Sequence, residues 1–582
     1  MATSTKPQRY NRFNLLHNGQ MLPFIVVVIV VALSIIPLLG MLIATFRPAD
    51  TLPLDTSGLW TLEHYPKVFL DTKTYTILWD TVAYAVATMV VSLPIALFFA
   101  WLTDRTDMRG RGVFYTLMFI PLVMPAFMIA IGWIQLLGPN NGALNVYARD
   151  IFDLVSTRGP LNIYSFWGLV LVTSMAVIPT MWLLLLGLFR NMDSALEDAA
   201  LTSGASPLGV FRRITLPLLR PGVLTVAIYY TLVLTEVFEV PLILGPTAGV
   251  NVLSVHIYEQ TTDPELGLPV YGLAATFALI ALILGAVLIA FYMWAVRQQH
   301  KYAVVTGKGF RPRTVRLGNW TYLCWGIVAA YLMLAVVLPT SIVFWNSLSA
   351  FPSVPSWASL QRLSLDNYRE VFSGGNLTRM VKNTAIVAAV SSTATMILAA
   401  IVAWLTVRRP SNLTRALNAI TFLPLAIPTP VVALSILLLY IRSPIPIYGT
   451  LWILIIAFTT RYLALGTRLM HSAQLQIDKS LDEAAYTSGA GPMRTFYNIN
   501  LKLMLPAFTN GWIWVFAHAV RDFAIPLFLA TAGTRMIANV VFLNYATGQQ
   551  NLAVTYLVLL FVVVVILAAL ARLTLTSGRV QR

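Results

Sequence analysis

Twelve long apolar runs, separated by polar segments, constrain this chain more than any other feature. They lie at roughly 21–46, 76–102, 113–137, 164–189, 223–246 and 268–296, and again at 321–347, 381–406, 415–441, 446–470, 507–530 and 552–573. Each is long enough to cross a hydrocarbon layer of ~30 Å. A backbone in hydrocarbon has to satisfy its own hydrogen bonds, which a run of this length does as an α-helix. The expectation is an all-α polytopic membrane protein of about twelve transmembrane helices. A composition of 58% apolar and 11% charged residues excludes an ordinary soluble globule. The first run is too long for a signal-peptide core and lacks a small-x-small cleavage site, so it reads as an uncleaved span. The single cysteine, Cys324, excludes an intramolecular disulfide and a cysteine-only metal cluster.

The net charge of +16 points to lipid, not nucleic acid, because of where the charge sits. Lys6, Arg9 and Arg12 precede the first span. With that end in the cytoplasm, the segments 103–112, 190–222, 297–320, 407–414, 471–506 and the C-terminus fall inside. These hold most of the Lys and Arg found outside the spans, as the positive-inside rule requires. Both termini are therefore expected in the cytoplasm, on a multi-pass protein of the inner (plasma) membrane.

The twelve runs are two sets of six. Leu196–Pro221 (LEDAALTSGASPLGVFRRITLPLLRP) returns as Leu481–Pro506 (LDEAAYTSGAGPMRTFYNINLKLMLP), at a repeat period of about 285. Asp198-Ala199-Ala200 matches Glu483-Ala484-Ala485, Gly204 matches Gly489, and Ile214 and Leu216 match Ile499 and Leu501. Further upstream, Trp101-Leu102-Thr103 matches Trp404-Leu405-Thr406 at an offset of about 303, so the first half carries extra residues in the loop 138–163. Six spans per repeat in the same orientation make these parallel repeats about an axis along the membrane normal. The boundaries expected are a first half at 1–296, a basic cytoplasmic linker at 297–320 and a second half at 321–582. Each repeated stretch is helix sequence with its carboxylate in the first turn, a glycine that ends it, and a second amphipathic stretch. In the first copy Phe211, Ile214 and Leu216 share one face and Arg212 and Arg213 the other.

This pattern resembles the EAA loop of the membrane subunits of ATP-binding cassette (ABC) importers, E-A-A-x-x-x-G-x9-I-x-L-P. The first copy fits from Asp198 through Gly204 to Ile214, Leu216 and Pro217, with Asp in place of Glu. The second fits through Leu501 but carries Lys502 where the pattern has proline. The resemblance implies a permease fold of the type I importer kind, with each loop forming a coupling helix seated in a separate ATPase subunit. It implies two such ATPases, an extracytoplasmic solute-binding protein, and ATP used by the partners while this chain binds no cofactor. Arg212, Arg213 and Arg494 are the expected contacts on the ATPase surface, and aspartate at Gly204 and Gly489 is expected to uncouple hydrolysis from transport. A single-chain fusion with a basic linker TGKGFRPR at 306–313 is similar to the ferric-iron type of permease. Related machinery is associated with phosphonates, sugar phosphates, thiamine and polyamines. A different class, the gradient-driven secondary carrier built of parallel repeats, shares the gross topology but has no use for paired docking loops.

Charge inside the spans is the remaining signal, since it costs roughly 2.5–3.5 kcal/mol at the bilayer centre. Glu236 and Glu239 follow the first loop, and Arg521 and Asp522 follow the second, with Glu236 aligned on Arg521. Either Glu236 and Arg521 form one buried pair that locks the halves, or the four groups line a translocation path beside helix breaks at Pro241 and Pro526; positions facing water at the span ends are the third reading. Arg461 and Arg468 read as cations at an inner-face helix terminus. Pro121, Pro125, Pro424 and Pro428 predict a hinge or kink in the third span of each half. Gly307-Lys308-Gly309 is no phosphate-binding loop, because Tyr302 replaces the required first glycine and no Ser or Thr follows the lysine. The six histidines have no metal-ligand spacing, so no catalytic or metal site is expected.

Overall fold

The apolar runs fold as helices throughout. A computed structural model describes residues 21–48, 51, 59–192, 195–261, 270–299 and 315–577. Lys6, Arg9, Arg12, Tyr302, Gly307-Lys308-Gly309 and the 306–313 segment lie outside the described residues. Among those described, ten continuous helices are long and apolar enough to cross a membrane, including Met21–Ala44, Trp320–Ser347 and Gln550–Leu567. Three further helix pairs are bent by 85–108° at short breaks. No strand forms among the described residues; one isolated parallel bridge joins Thr106 to Val315.

Seven helices of the first half frame the sites: α1 (Thr72–Arg105), α2 (Arg111–Val123), α3 (Ala126–Leu137), α4 (Phe166–Asn191), α5 (Ala195–Thr202), α6 (Leu216–Thr235) and α7 (Glu239–Ala248). Their counterparts come in the same order: α8 (Asn376–Arg408), α9 (Asn412–Phe422), α10 (Thr429–Tyr440), α11 (Leu451–Leu475), α12 (Lys479–Thr487), α13 (Leu501–Arg521) and α14 (Ala524–Leu529).

In lipid the helices gain little from hiding apolar surface, so close packing of small residues holds them. The α1 face toward α4 buries Ala85, Thr88, Ser92 and Ala96; α8 turns Ala388, Ser391, Ser392, Thr395 and Ala399 inward. Ser92 and Ser392 bond back to their own turn, Ser92 to Thr88 O at 2.7 Å and Ser392 to Ala388 O at 2.6 Å, so neither hydroxyl is left bare. Gly511 lets α13 approach α8, because a Cβ there would lie 2.5 Å from the Met396 methyl. Large side chains such as Phe24, Ile29, Val90 and Val562 stay exposed on outer faces, where a soluble protein would not place so many.

The halves exchange their first spans. Ile36–Ala44 packs on α10 of the second half, and Leu338–Ser347 packs on α3 of the first. The contact is close: a Cβ on Gly132 of α3 would fall 2.5 Å from the Pro339 Cβ.

One expectation is met and one needs correction. The third spans bend as their prolines predict: α2 and α3 meet at 86°, and the α9 and α10 limbs at 108°. Pro125 and Pro428 stand just before the second limbs in extended conformation, and a proline supplies no N–H to carry the ladder across. The fifth spans were expected at 223–246 and 507–530, broken at Pro241 and Pro526. They run instead over Phe211–Thr235 and Pro492–Arg521. The breaks fall at Glu236–Phe238 and Asp522–Phe523, and the two prolines sit in the first turn of α7 and α14, where a missing N–H costs nothing. The amphipathic stretch after each loop glycine is therefore the start of the span itself.

Candidate functional site

The two repeated loops have the same backbone. α5 ends at Gly204 with φ +88°, and α12 ends at Gly489 with φ +79°. Ala205 N–H bonds Ala200 O and Gly204 N–H bonds Leu201 O; Ala490 to Ala485 and Gly489 to Tyr486 repeat both bonds. This is a Schellman ending, which requires a left-handed residue and so favours glycine. A short helix then begins at Pro207 or Pro492 and runs into a π-helical turn, Phe211–Thr215 or Phe496–Asn500. Leu216 N–H reaches Phe211 O, and Leu501 N–H reaches Phe496 O. The turn forms beside Pro217 and beside Lys502 alike, so the departure at Lys502 leaves the geometry unchanged.

The motif residues divide between exposed and half-buried positions. Ala199, Gly204, Glu483, Ala484 and Gly489 are exposed, as are Arg212, Arg213 and Arg494. Asp198, Ala200, Ile214, Leu216, Pro217, Ala485, Ile499 and Leu501 are half-buried. Buried in their place is the acid one residue earlier. Glu197 pairs with Arg105 at 3.1 Å, and Asp482 pairs with Arg408 at 2.6 Å. Burial pushes the Glu197 carboxyl above its usual range, against the opposing pull of the Thr215 hydroxyl and the Arg105 guanidinium. The sequence reading missed all four residues. Their signal was present: the matched Trp-Leu-Thr triplets extend to Arg105 and Arg408 two residues on, and Glu197 and Asp482 align.

The second cluster lies between the halves. Glu236 does not pair with Arg521; its Oε2 accepts from Arg461 Nη2 at 3.0 Å. Arg461 is not at a helix terminus either. It sits mid-way along α11, where α4 has Ala176, and its guanidinium is mostly buried. Its Nη1 donates to Ile427 O at 3.1 Å and Pro424 O at 3.4 Å, the carbonyls freed by the bend between α9 and α10. Arg521 does the corresponding work in the first half, donating to Leu122 O at 2.7 Å at the end of α2. Across the same bend Glu239 lies against the backbone N–H groups of Ala126 and Phe127. Arg521 Nη2 also donates to His518 Nε2 at 2.9 Å, which leaves His518 Nδ1 to donate to Trp514 O. Asp522 accepts from the Tyr462 hydroxyl at 3.2 Å and from Ile525 N–H at the start of α14. The bent third span of each half is thus held by an arginine, Arg461 from its own half and Arg521 from the other; Arg461 crosses between the halves only through Glu236. Arg468, by contrast, lies over the Phe422 ring at 4.9 Å.

Beside this network, Phe238 and Phe523 touch, with ring centroids 5.8 Å apart. They are repeat-equivalent residues, and equivalents in contact must lie at the axis that relates the repeats. Phe127, Tyr258, Phe528 and Phe542 join the aromatic cluster. Phe238 and Phe523 are 3% and 1% exposed, so the axis is closed at this level.

The model of the binding-protein-dependent transport system inner membrane component matches residues 92–301 and again 395–577, once in each half. The chain belongs to this family. It is a fused, two-half ABC importer permease. It is similar to a putative ferric transport system permease protein of Haemophilus influenzae, 27% identical over 77% of this chain and 69% of that one. The ferric transport system permease protein of Actinobacillus pleuropneumoniae is 26% identical over 81% of this chain and 67% of its own length. A bacterial ABC transporter involved in alginate import aligns with 46% of this chain and 88% of its own, at 16% identity and a TM-score of 0.36. Membership decides between the two transporter classes in favour of the binding-protein-dependent permease.

Proposed function

We propose that this permease carries ferric iron inward, with ATP hydrolysed by two separate ATPase subunits docked on the paired loops. The observation that carries the substrate is the span of the likeness: ferric permeases match across both halves of the chain. The coupling role rests on the identical backbone of the two loops and the exposure of Arg212, Arg213 and Arg494. Equal geometry at two sites suits two copies of one partner. The loop face is the cytoplasmic one in this reading, with both termini on it, and a solute-binding protein delivers its cargo to the opposite face.

Glu236, Glu239, Arg521 and Asp522 then flank the path, and Phe238 with Phe523 is its closed gate. The reading needs no resident metal site, since the binding protein presents the ion; among the described residues no three His, Cys, Asp or Glu side chains converge. The cross-half ties, Glu236–Arg461 and Arg521–Leu122, have to loosen for the bundles to separate. They hold the bent spans while the gate is shut.

The test is reconstitution of the permease with its ATPase and binding protein in proteoliposomes. ATP-dependent uptake of radiolabelled ferric iron is expected, with no uptake of phosphonate, sugar phosphate, thiamine or putrescine. Uptake of one of those in place of iron sinks the substrate assignment. Uptake without ATP sinks the coupling role.

A further inference from the structure

One joint is built twice at the loops, from different side chains. In the first half Arg105, the last residue of α1, places Nε 3.1 Å from Glu197 Oε2 and donates from Nη2 to Phe189 O at the end of α4 at 2.9 Å. The other carboxylate oxygen, Glu197 Oε1, accepts from the Thr215 hydroxyl. In the second half Arg408, the last residue of α8, places Nε 2.6 Å from Asp482 Oδ2 and donates to Ile477 O just beyond α11 at 2.7 Å. Asp482 Oδ1 accepts from Asn500 Nδ2 at 2.7 Å, and Asn500 is held in turn by Gln474 at 2.7 Å.

Length has been exchanged across the carboxylate. Glutamate, the longer acid, meets threonine, the shorter donor; aspartate, one methylene shorter, meets asparagine, whose donor atom is one bond further out. The total reach from loop helix to span is kept although neither residue is. Thr215 and Asn500 are each the last residue of a π turn. A π turn holds one residue more than an α turn and rotates the remainder of the helix by about 100° about its axis. Its presence beside Lys502 shows that proline does not force it. The arginine side chains are 5% and 7% exposed, so both pairs are desolvated and neither tolerates sliding without losing its partner.

We infer that the Arg105–Glu197–Thr215 and Arg408–Asp482–Asn500 joints are the positions through which each loop helix moves its half of the permease. They tie the loop helix to the ends of three spans at one point, so displacement of α5 or α12 is delivered to α1, α4 and α6, or to α8, α11 and α13, as one body. These are positioning residues, and the inference rests on the coupling role proposed for the loops.

The test exchanges the two solutions within the full complex of permease, ATPase and binding protein in proteoliposomes, reading solute imported per ATP hydrolysed. Glu197→Asp alone leaves a gap and is expected to lower that ratio about fivefold. Adding Thr215→Asn rebuilds the second half's joint in the first and is expected to restore it. Asp482→Glu and its rescue by Asn500→Thr are the reciprocal pair. Single variants that keep the wild-type ratio overturn the inference, and so do double variants that assemble without restoring it. A joint that served only stability would lower the amount of assembled complex and leave the ratio alone. Where a single variant does not assemble, its double is read by itself: assembly with a wild-type ratio supports the exchange, and failure overturns it. The Gly204→Asp and Gly489→Asp variants separate the two levels. If they too leave the ratio unchanged, the coupling role of the loops falls; if they uncouple while the joint variants do not, only the joint falls.

Discussion

Arg461 shows how far one side chain in a membrane can be asked to reach. It satisfies two carbonyls released by a bend in the chain and neutralises a glutamate from the other half. Removing one member of such a buried pair leaves the other unpaired, a loss of about 3–5 kcal/mol. Arg461→Ala is therefore expected to lower the thermal midpoint of the solubilised permease sharply. Glu236→Gln should cost less, because the amide still accepts from Arg461. If both variants melt like the wild type, the pair does not hold the halves together. Uptake measured on Glu236→Gln and Arg521→Gln separates the path reading from a purely structural one: full transport at reduced stability removes these residues from the path.

At the scale of the element, the loop helices are defined by backbone rules more than by side chains. The Schellman ending needs Gly204 and Gly489, and a Cβ there would meet nothing within 4 Å, so the cost of substitution is conformational strain. The π turn is indifferent to the residue two positions beyond it, proline in one copy and lysine in the other. Lys502→Pro is accordingly expected to leave stability within about 0.5 kcal/mol and coupling unchanged, checked by melting and by solute moved per ATP. A large loss in either would show that the two turns are less alike than their hydrogen bonds. The same element explains why the second amphipathic stretch is no separate helix: the stretch with Phe211, Ile214 and Leu216 on one face is the first turns of a span that carries on to Thr235.

For the whole molecule the exchange of first spans is the dominant fact. Met21–Ala44 packs on the second half and Trp320–Ser347 on the first, so neither six-helix set encloses its own broken span. A chain opened within 300–314 and expressed as two fragments is expected to co-purify through an affinity tag on one, while either fragment alone is expected to aggregate or be degraded. A stable, monodisperse single half would contradict the exchange. The aromatic contact of Phe238 with Phe523 belongs to this scale too, since it exists only because two equivalent chain segments meet at one axis.

The sequence by itself determined the class of fold, the duplication and the loops, because span length, repeat spacing and glycine position are local and survive without knowing what packs where. It also showed that charge lay within the spans, but not which charges were partners. Glu236 aligned with Arg521, and one of the readings paired them, yet repeat-equivalent positions touch only at the axis between the repeats, as Phe238 and Phe523 do; Glu236 and Arg521 find other partners. Arg461 took that place because α11 brings it to the carbonyls freed at Pro424 and Ile427, a juxtaposition that depends on a 108° bend. Glu197, Asp482, Arg105 and Arg408 passed unnoticed for a related reason. An acid beside an EAA-like motif and an arginine at the end of a span look like solvated charges until packing buries them against each other.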